Sequence, residues 1–293
     1  MKTILVTGAS GFLGWNVCRV AAAAGWDVVG AYLSHPLSID KVTIVSLDCT
    51  DSAAVRRTMD SVRPDAVIHC AAMPDPNACE LNPENSRRVN VHASITVAEG
   101  CRAHGASLVY TSTDLVFDGE HAPYGEMDAQ GPVNTYGRHK AAAESGMRRA
   151  YPDVIVCRVP VMFGDPGPVS KSFIQPLMKN LRQGAAIKLF TDEIRTPVSG
   201  KTAAQGLLLC VDKKGETFHL GGRQRISRFD FGLLLARAIG ADESLVTPVS
   251  RTTITAPAPR ARDVSLVSDK AYALGFDPKP LEVQLQELDC IKD

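Results

Sequence analysis

A chain of 293 residues with 32 Lys and Arg against 32 Asp and Glu, and a sequence pI near 7.0, has no basic field for nucleic acid or an anionic membrane surface. Small-molecule partners are favoured, and the length suits one large α/β domain or a large domain with a smaller one. The eight cysteines form no C-x-x-C pair, and Cys70 and Cys157 fall inside apolar runs, so they read as reduced core residues of a cytosolic protein. His69, Cys70 and Cys79 match no usual zinc spacing, and no metal is expected. The N-terminus runs straight into a glycine loop without a signal-peptide core, and no apolar run reaches the length of a membrane span; a soluble cytoplasmic protein is expected.

Thr3 to Val6 reads as the first strand. Gly8-Ala9-Ser10-Gly11-Phe12-Leu13-Gly14 follows and opens a helix with Val17, Val20, Ala21 and Ala24 on one face, stopped by Gly25. In that context Gly8 permits the tight turn, Gly11 lets the backbone approach a pyrophosphate, and Gly14 lets the helix pack on the strand, while free N–H groups at the helix start attract the anion. The spacing is G-x-x-G-x-x-G rather than G-x-G-x-x-G, so a plain strand-to-helix turn is the alternative.

Asp27 to Tyr32 predicts the second strand. A carboxylate at its end would bind the ribose 2′-OH of NAD; Ala31-Tyr32-Leu33-Ser34-His35 has none, which favours NADP(H) and leaves NAD(H) open. Ser34 and His35 are candidate neighbours of a 2′-phosphate or an ordinary solvated loop, and no arginine stands there to strengthen the case. Val42 to Leu47 is the third strand, after which Asp51 or Thr50 caps a helix and Asp48 is free to bind an adenine amino group. Asp65 to Ala72 is the fourth, where small Ala71 and Ala72 let a flat cofactor lie against the backbone. Pro74, Pro76 and Pro83 mark a loop before a helix over about 83–103. Asn90 stands off that helix's apolar stripe, either tying strand ends together or on the surface.

Ser107 to Tyr110 is the fifth strand, leading through Thr111-Ser112-Thr113 toward Tyr136-Gly137-Arg138-His139-Lys140 and a helix to Ala150. Four residues apart on one helix face, Tyr136 and Lys140 let an ammonium favour the phenolate and lower the tyrosine's pKa, which suits a general acid. Thr113, opposite, would orient the same substrate oxygen. The trio fits carbonyl reduction, although a Tyr-x-x-x-Lys pair taken alone is more often a helix-face tyrosine beside a solvated lysine.

Asp153 to Val161 is the sixth strand, with Arg158 and Pro160 interrupting it near the end. Six strands alternating with helices imply an α/β fold, a Rossmann-type doubly wound parallel sheet over 1–163. Gly164-Asp-Pro-Gly-Pro168 breaks the texture, and 164–293 reads as a smaller C-terminal α/β substrate-binding part. Its expected helices are 172–183, 201–211 (packing back on the first part), 227–239, 268–274 and 280–288; 186–190 and 217–220 read as strands. Arg195, Arg260 and Arg262 occur in loops, for bidentate phosphate contacts or simple solvation.

The glycine loop, Ser112-Thr113-Asp114-Leu-Val-Phe-Asp-Gly119, Tyr136-Gly-x-x-Lys140, Arg195-Thr-Pro197 and Arg260-Ala-Arg-Asp-Val-Ser-Leu266 together resemble the extended short-chain dehydrogenase/reductases. Within them the chain looks most like the dTDP-4-dehydrorhamnose reductase family, over nearly its whole length. The resemblance implies Thr113, Tyr136 and Lys140 as the catalytic triad. It matches Gly8, Gly11, Gly14, Asp48, Ala71 and Ala72 to the family's cofactor contacts, with Lys140 also on the nicotinamide ribose; Ser10, Phe12, Leu13, Ser34, His35, Cys49, Asn90, Thr111, Tyr136 and Pro160 are the further candidates for cofactor contact. Met73, Asp114, Val116, Arg195 and Arg260 become candidates for a nucleotide-sugar substrate, and a homodimer is left open. Sugar-nucleotide 4,6-dehydratases carry an Asp-Glu pair after the threonine; Asp114-Leu115 lacks the second carboxylate, which favours simple reduction. The chain also resembles the regulatory beta subunit of methionine adenosyltransferase, which implies an alternative: a cofactor-binding subunit of a partner enzyme. A nucleotide-sugar epimerase is a third reading.

Overall fold

Along β1 (Thr3–Thr7) the consecutive side chains of Ile4, Leu5 and Val6 are all buried, so the strand needs a covering layer on each face, as in a parallel sheet wrapped by helices. The computed structural model, which describes residues 1–292, supplies both layers. After β1 come α1 (Phe12–Ala23), β2 (Asp27–Tyr32), β3 (Val42–Ser46), α2 (Ser52–Val62) and β4 (Ala66–His69). Next are α3 (Pro76–Leu81), α4 (Pro83–Arg87), a π turn over Arg88–His92, α5 (Ala93–His104), β5 (Ser107–Thr113), a 3-10 turn (Asp114–Val116), α6 (Thr135–Ala150) and β6 (Ile155–Val159). The chain continues through β7 (Met162–Phe163), α7 (Ile174–Arg182), β8 (Ile187–Phe190), β9 (Ile194–Arg195), β10 (Val198–Ser199), α8 (Gly200–Leu209) and β11 (Thr217–His219). It closes with β12 (Ile226–Ser227), α9 (Arg228–Ala238), β13 (Val246–Val249), α10 (Asp269–Ala273), α11 (Leu281–Gln286) and α12 (Asp289–Lys292).

Seven parallel strands form the central sheet in the order β11-β6-β5-β4-β1-β2-β3. On one face Ile4 and Val6 meet Val17 and Ala21 of α1 and Ala204 and Leu207 of α8. On the other, Leu5 meets Val55 and Met59 of α2, Val97 and Cys101 of α5, and Met147 of α6. This is the expected Rossmann-type doubly wound α/β sheet. The run expected to be strand-like at 217–220 enters that same sheet as β11, beside β6.

The other strands make three short pairs, β10 with β7, β12 with β9 and β13 with β8. Around them a second core gathers Phe163, Ile174, Met178, Phe231, Leu235, Leu281 and Leu285. β13 is invisible to periodicity because it is four residues long and holds Pro248.

Local chemistry explains several differences from the expected elements. The helix expected over 83–103 is broken by the π turn, and α3 forms where a loop is expected because Asp75 accepts from Asn77 N at 2.8 Å with Pro76 at the first helical position. α6 begins at Thr135 because Asn134 accepts from Gly137 N at 2.9 Å. Asp51, rather than Thr50, caps α2. Arg158 does not interrupt the sixth strand: it lies inside β6, 5% exposed, with Glu144 as partner. Ser268 stands at the N-cap position of α10, where its hydroxyl makes no capping bond and instead accepts from Gly221 N at 2.9 Å. Among the described residues no helix is long and apolar enough to cross a membrane.

Candidate active site

From β1 the chain passes to β2 on one side, while β4 lies on the other, so a crevice opens at the C-terminal ends of β1 and β4. Gly8 has φ of +70°, and a Cβ there would stand 2.7 Å from Ala71 N. A Cβ on Gly14 would overlap the Gly8 carbonyl oxygen. α1 therefore starts hard against the strand end, with Gly11 as N-cap and no side chain capping it, and its first N–H groups remain open to an anion. Gly8, Ser10, Gly11, Phe12, Leu13 and Gly14 line one end of a cavity of about 760 Å³.

Beyond the loop the wall continues through Tyr32, Leu33 and Ser34, then Asp48, Cys49, Thr50, Ala71 and Ala72. Ser34 Oγ lies 2.9 Å from Nδ1 of the exposed His35. Asp48 Oδ1 accepts from Thr50 Oγ1 at 2.7 Å and Thr50 N at 2.8 Å, which holds its carboxyl below the ordinary range. Arg88, from the π turn, reaches Thr50 Oγ1 at 3.2 Å and lines the same end. It carries no signal in the sequence, where it reads as the solvated side of a helix.

At the other end β5 and α6 face each other. Lys140 is 2% exposed; its Nζ donates to Thr111 O at 2.6 Å and lies 4.2 Å from the centre of the Tyr110 ring. Burial lowers its pKa to about 8. No hydrogen bond joins Lys140 to Tyr136, and the expected lowering of the phenol's pKa is absent. Burial pushes Tyr136 upward and Asp114 adds to the rise, with the Thr113 hydroxyl acting against them. Thr113 Oγ1 accepts from Leu115 N at 3.2 Å and donates to Asp114 Oδ1 at 3.0 Å.

Charged side chains from four segments close the cavity. Asp114 is 3% exposed, its Oδ2 has no hydrogen bond, and Arg195 Nε stands 3.4 Å from it. Burial raises the Asp114 pKa, with Arg195 the leading opposing influence. Glu193 gathers Arg228 at 3.1 Å, Arg260 at 3.1 Å and Arg195 at 3.5 Å. Burial works against the Glu193 carboxylate, but the guanidiniums of Arg228, Arg195 and Arg260 outweigh it and keep its pKa below the ordinary value. Three guanidiniums against two carboxylates leave an excess of one positive charge on this wall. Phe173 lies beneath Arg228 with 4.8 Å between guanidinium carbon and ring centre.

Most of the residues singled out in the sequence thus share one cavity: the glycine loop, Ser34, Asp48, Cys49, Ala71, Ala72, Thr111, Thr113, Asp114, Tyr136, Lys140, Pro160, Arg195 and Arg260. His35, Met73, Asn90 and Val116 do not line it. Asn90 is buried and clamps the loop after β4, accepting from Met73 N at 2.9 Å and donating to Met73 O at 3.0 Å. Val116 is fully buried in a satellite core with Phe117 and Tyr124, because the 3-10 turn rotates it inward. Arg262 is exposed, and Arg195 belongs to β9 rather than to a loop. Glu193 and Arg228 escaped the sequence reading. They meet only because antiparallel β9 and β12 pair Ile194 with Ser227, their chain neighbours.

A family model described as the RmlD substrate binding domain matches residues 1–290. The chain is 34% identical over 290 residues to the probable low-salt glycan biosynthesis reductase of Haloferax volcanii, covering 97% of this chain and 96% of that one. It is 29% identical to methionine adenosyltransferase 2 subunit beta of Danio rerio, covering 94% of this chain and 85% of that one. A crystal structure of a dTDP-4-dehydrorhamnose reductase from Clostridium acetobutylicum superposes with a TM-score of 0.85 at 26% identity, with all of both chains covered. With a matching model over almost its entire length, an extended short-chain dehydrogenase/reductase fold and the glycine loop and Tyr136/Lys140 pair in one cavity, this chain belongs to the RmlD substrate-binding domain family.

Proposed function

We propose that the protein is an NADP(H)-preferring reductase of a nucleotide-linked 4-keto-6-deoxysugar. That it is an NAD(P)-dependent oxidoreductase acting on the keto group of a sugar nucleotide follows from its family. The observation that carries the finer reading is one cavity with an anion-ready glycine loop at one end and Thr113, Tyr136 and Lys140 at the other. The residues fit a nicotinamide dinucleotide: the Gly8–Gly14 approach leaves a cradle that a Cβ would fill, and Ala71 and Ala72 keep the wall flat. The bound dinucleotide supplies a hydride. Tyr136, kept protonated by burial, gives its proton to the developing alkoxide. Thr113 orients the carbonyl by turning its hydroxyl from Asp114 to the substrate oxygen. Lys140, its Nζ fixed on Thr111 O, would hold a ribose hydroxyl of the dinucleotide. The missing acid at the end of β2 supports NADP(H), whose 2′-phosphate Ser34 would hold. Arg195, Arg228 and Arg260 face the phosphates of the sugar nucleotide.

The test is NADPH oxidation followed by absorbance with dTDP-4-dehydrorhamnose, beside NADH and the Tyr136→Phe variant. The expected result is faster turnover with NADPH and a loss of about 10²–10⁴-fold in kcat for the variant. Unchanged turnover by Tyr136→Phe would refute the assigned role. The likeness to methionine adenosyltransferase 2 subunit beta favours a second reading, a cofactor-binding subunit of another enzyme. It requires a stable complex with a partner enzyme and a change in that partner's activity; a chain that reduces the sugar nucleotide and associates with nothing rules it out.

A further inference from the structure

Beneath the cavity lies a buried charged cluster that the proposed reaction does not use. Glu144, 3% exposed, is one helical turn beyond Lys140 on α6. Arg158 of β6 grips it with two bonds, Nε to Oε1 at 3.1 Å and Nη2 to Oε2 at 2.9 Å. Ser112 Oγ, beside Thr113 on β5, donates to Oε1 at 2.5 Å, and Gln130 Nε2 donates to Oε2 at 2.6 Å. The third Arg158 nitrogen donates to Glu126 O at 3.2 Å and lies 3.2 Å from His219 Nε2. Both carboxylate oxygens and every guanidinium nitrogen are therefore engaged, the condition under which a buried ion pair is tolerated.

We infer that Glu144, held by Arg158, is a positioning residue for the reaction: it locks α6 on β5 through Ser112 and is the counter-charge of the buried Lys140 ammonium. Two consecutive turns of α6 thus engage two consecutive residues of β5, Lys140 at Thr111 O and Glu144 at Ser112 Oγ. That double key sets Tyr136 opposite Thr113. The other titratable groups near Lys140 are neutral in the working range: His69 on β4 is lowered to about 3 by burial, and burial raises the Cys70 and Cys79 thiols and the Tyr110 and Tyr136 phenols. Glu144 is the carboxylate acting on the ammonium. On its far side Glu144 meets Arg158 and, one turn on, Arg148; His219 of β11 is lowered to about 3 and stays neutral.

The inference rests on the reductase reading, so its primary test needs no substrate. In the full chain, ¹³C-lysine NMR, with Lys140 assigned through Lys140→Met, follows the titration of Lys140 in wild type, in Glu144→Gln and in Glu144→Gln/Arg158→Met. The double variant removes the guanidinium that the single one leaves unpaired, so at least one remains folded. The Lys140 midpoint is expected to fall by about one pH unit in Glu144→Gln, and by less in the double variant, where the guanidinium that offsets the carboxylate is gone as well. If it stays at the wild-type value in Glu144→Gln, the inference fails. With dTDP-4-dehydrorhamnose and NADPH, kcat at pH 8 then falls about five-fold and recovers toward pH 6.5, as expected for a one-unit shift from near 8. Ser112→Ala, which keeps the charge and loses the key, lowers kcat without moving the Lys140 midpoint; a normal kcat in that variant overturns the locking role. A wild type with no turnover counts against the reductase reading, while the NMR titration still decides the counter-charge.

Discussion

The Lys140 ammonium shows how burial decides what a motif can do. Four residues from Tyr136 on the same helix, it was expected to lower the phenol's pKa; instead it bonds Thr111 O and lies over Tyr110, while desolvation lowers its own pKa to about 8. Its folded-state value lies below the ordinary lysine value of 10.5, so the charged form is lost as pH rises through about 8. Activity that needs this cation is therefore expected to decline above about pH 8, well before an exposed lysine would titrate. A kcat profile flat to pH 10 would separate catalysis from the Lys140 charge. The Thr113 hydroxyl is similarly engaged by Asp114 until it turns toward a carbonyl, so the site's donors are ordered by one another before they meet a substrate.

At the scale of elements, the approach of α6 to β5 depends on Gly137, the residue after the tyrosine. A Cβ at that position would overlap Leu115 O and stand 2.9 Å from Pro132 Cβ. The backbone of the 3-10 turn cannot yield as a flexible side chain would, so Gly137→Ala must push the start of α6 away from the end of β5. Tyr136 rides on the first turn of α6. The expected outcome is a fall in kcat of roughly 10²-fold, the order associated with a misplacement of about 1 Å, with the protein still folded by circular dichroism. A variant with wild-type kcat would show that the two elements can separate without disturbing the site. The same logic governs Gly14 and Gly8, where helix and strand end meet with no room for a side chain.

For the whole molecule, two fully buried histidines tie strands of the central sheet to segments far away in the chain as neutral groups. His69 Nδ1 lies 2.7 Å from Thr7 Oγ1 and its Nε2 is 3.1 Å from Ser94 Oγ; His219 Nδ1 is 3.1 Å from Tyr124 O and from Val267 O. Burial lowers both to about 3, with the Lys140 and Arg158 charges adding to it respectively. The unfolded chain takes up protons at these positions near pH 6.5 and the folded one does not. Their contribution to stability is thus complete above about pH 6.5 and is lost progressively as pH falls toward 3. The urea midpoint is expected to drop between pH 7 and 5, and to drop less in His69→Asn and His219→Asn variants that fold. Equal slopes in wild type and variants would place the acid sensitivity elsewhere.

Sequence alone determined what depends on short-range order. Alternating runs of strand and helix, the glycine loop at the end of β1, and the pairing of Tyr136 with Lys140 are local patterns with local causes, so the doubly wound fold and both ends of the cavity were legible. Tertiary structure decided what depends on residues far apart in the chain. Glu193 and Arg228 join the wall through the β9–β12 pair, Arg88 lies in the π turn between α4 and α5 that brings it to the cavity, and β11 completes a sheet begun some two hundred residues earlier. The electrostatics belong to that second class as well. A side chain's pKa follows from how much water the surrounding fold removes, so the state of Tyr136, Lys140 and Asp114 could be read only once β5, α6 and the acid–arginine wall had enclosed them.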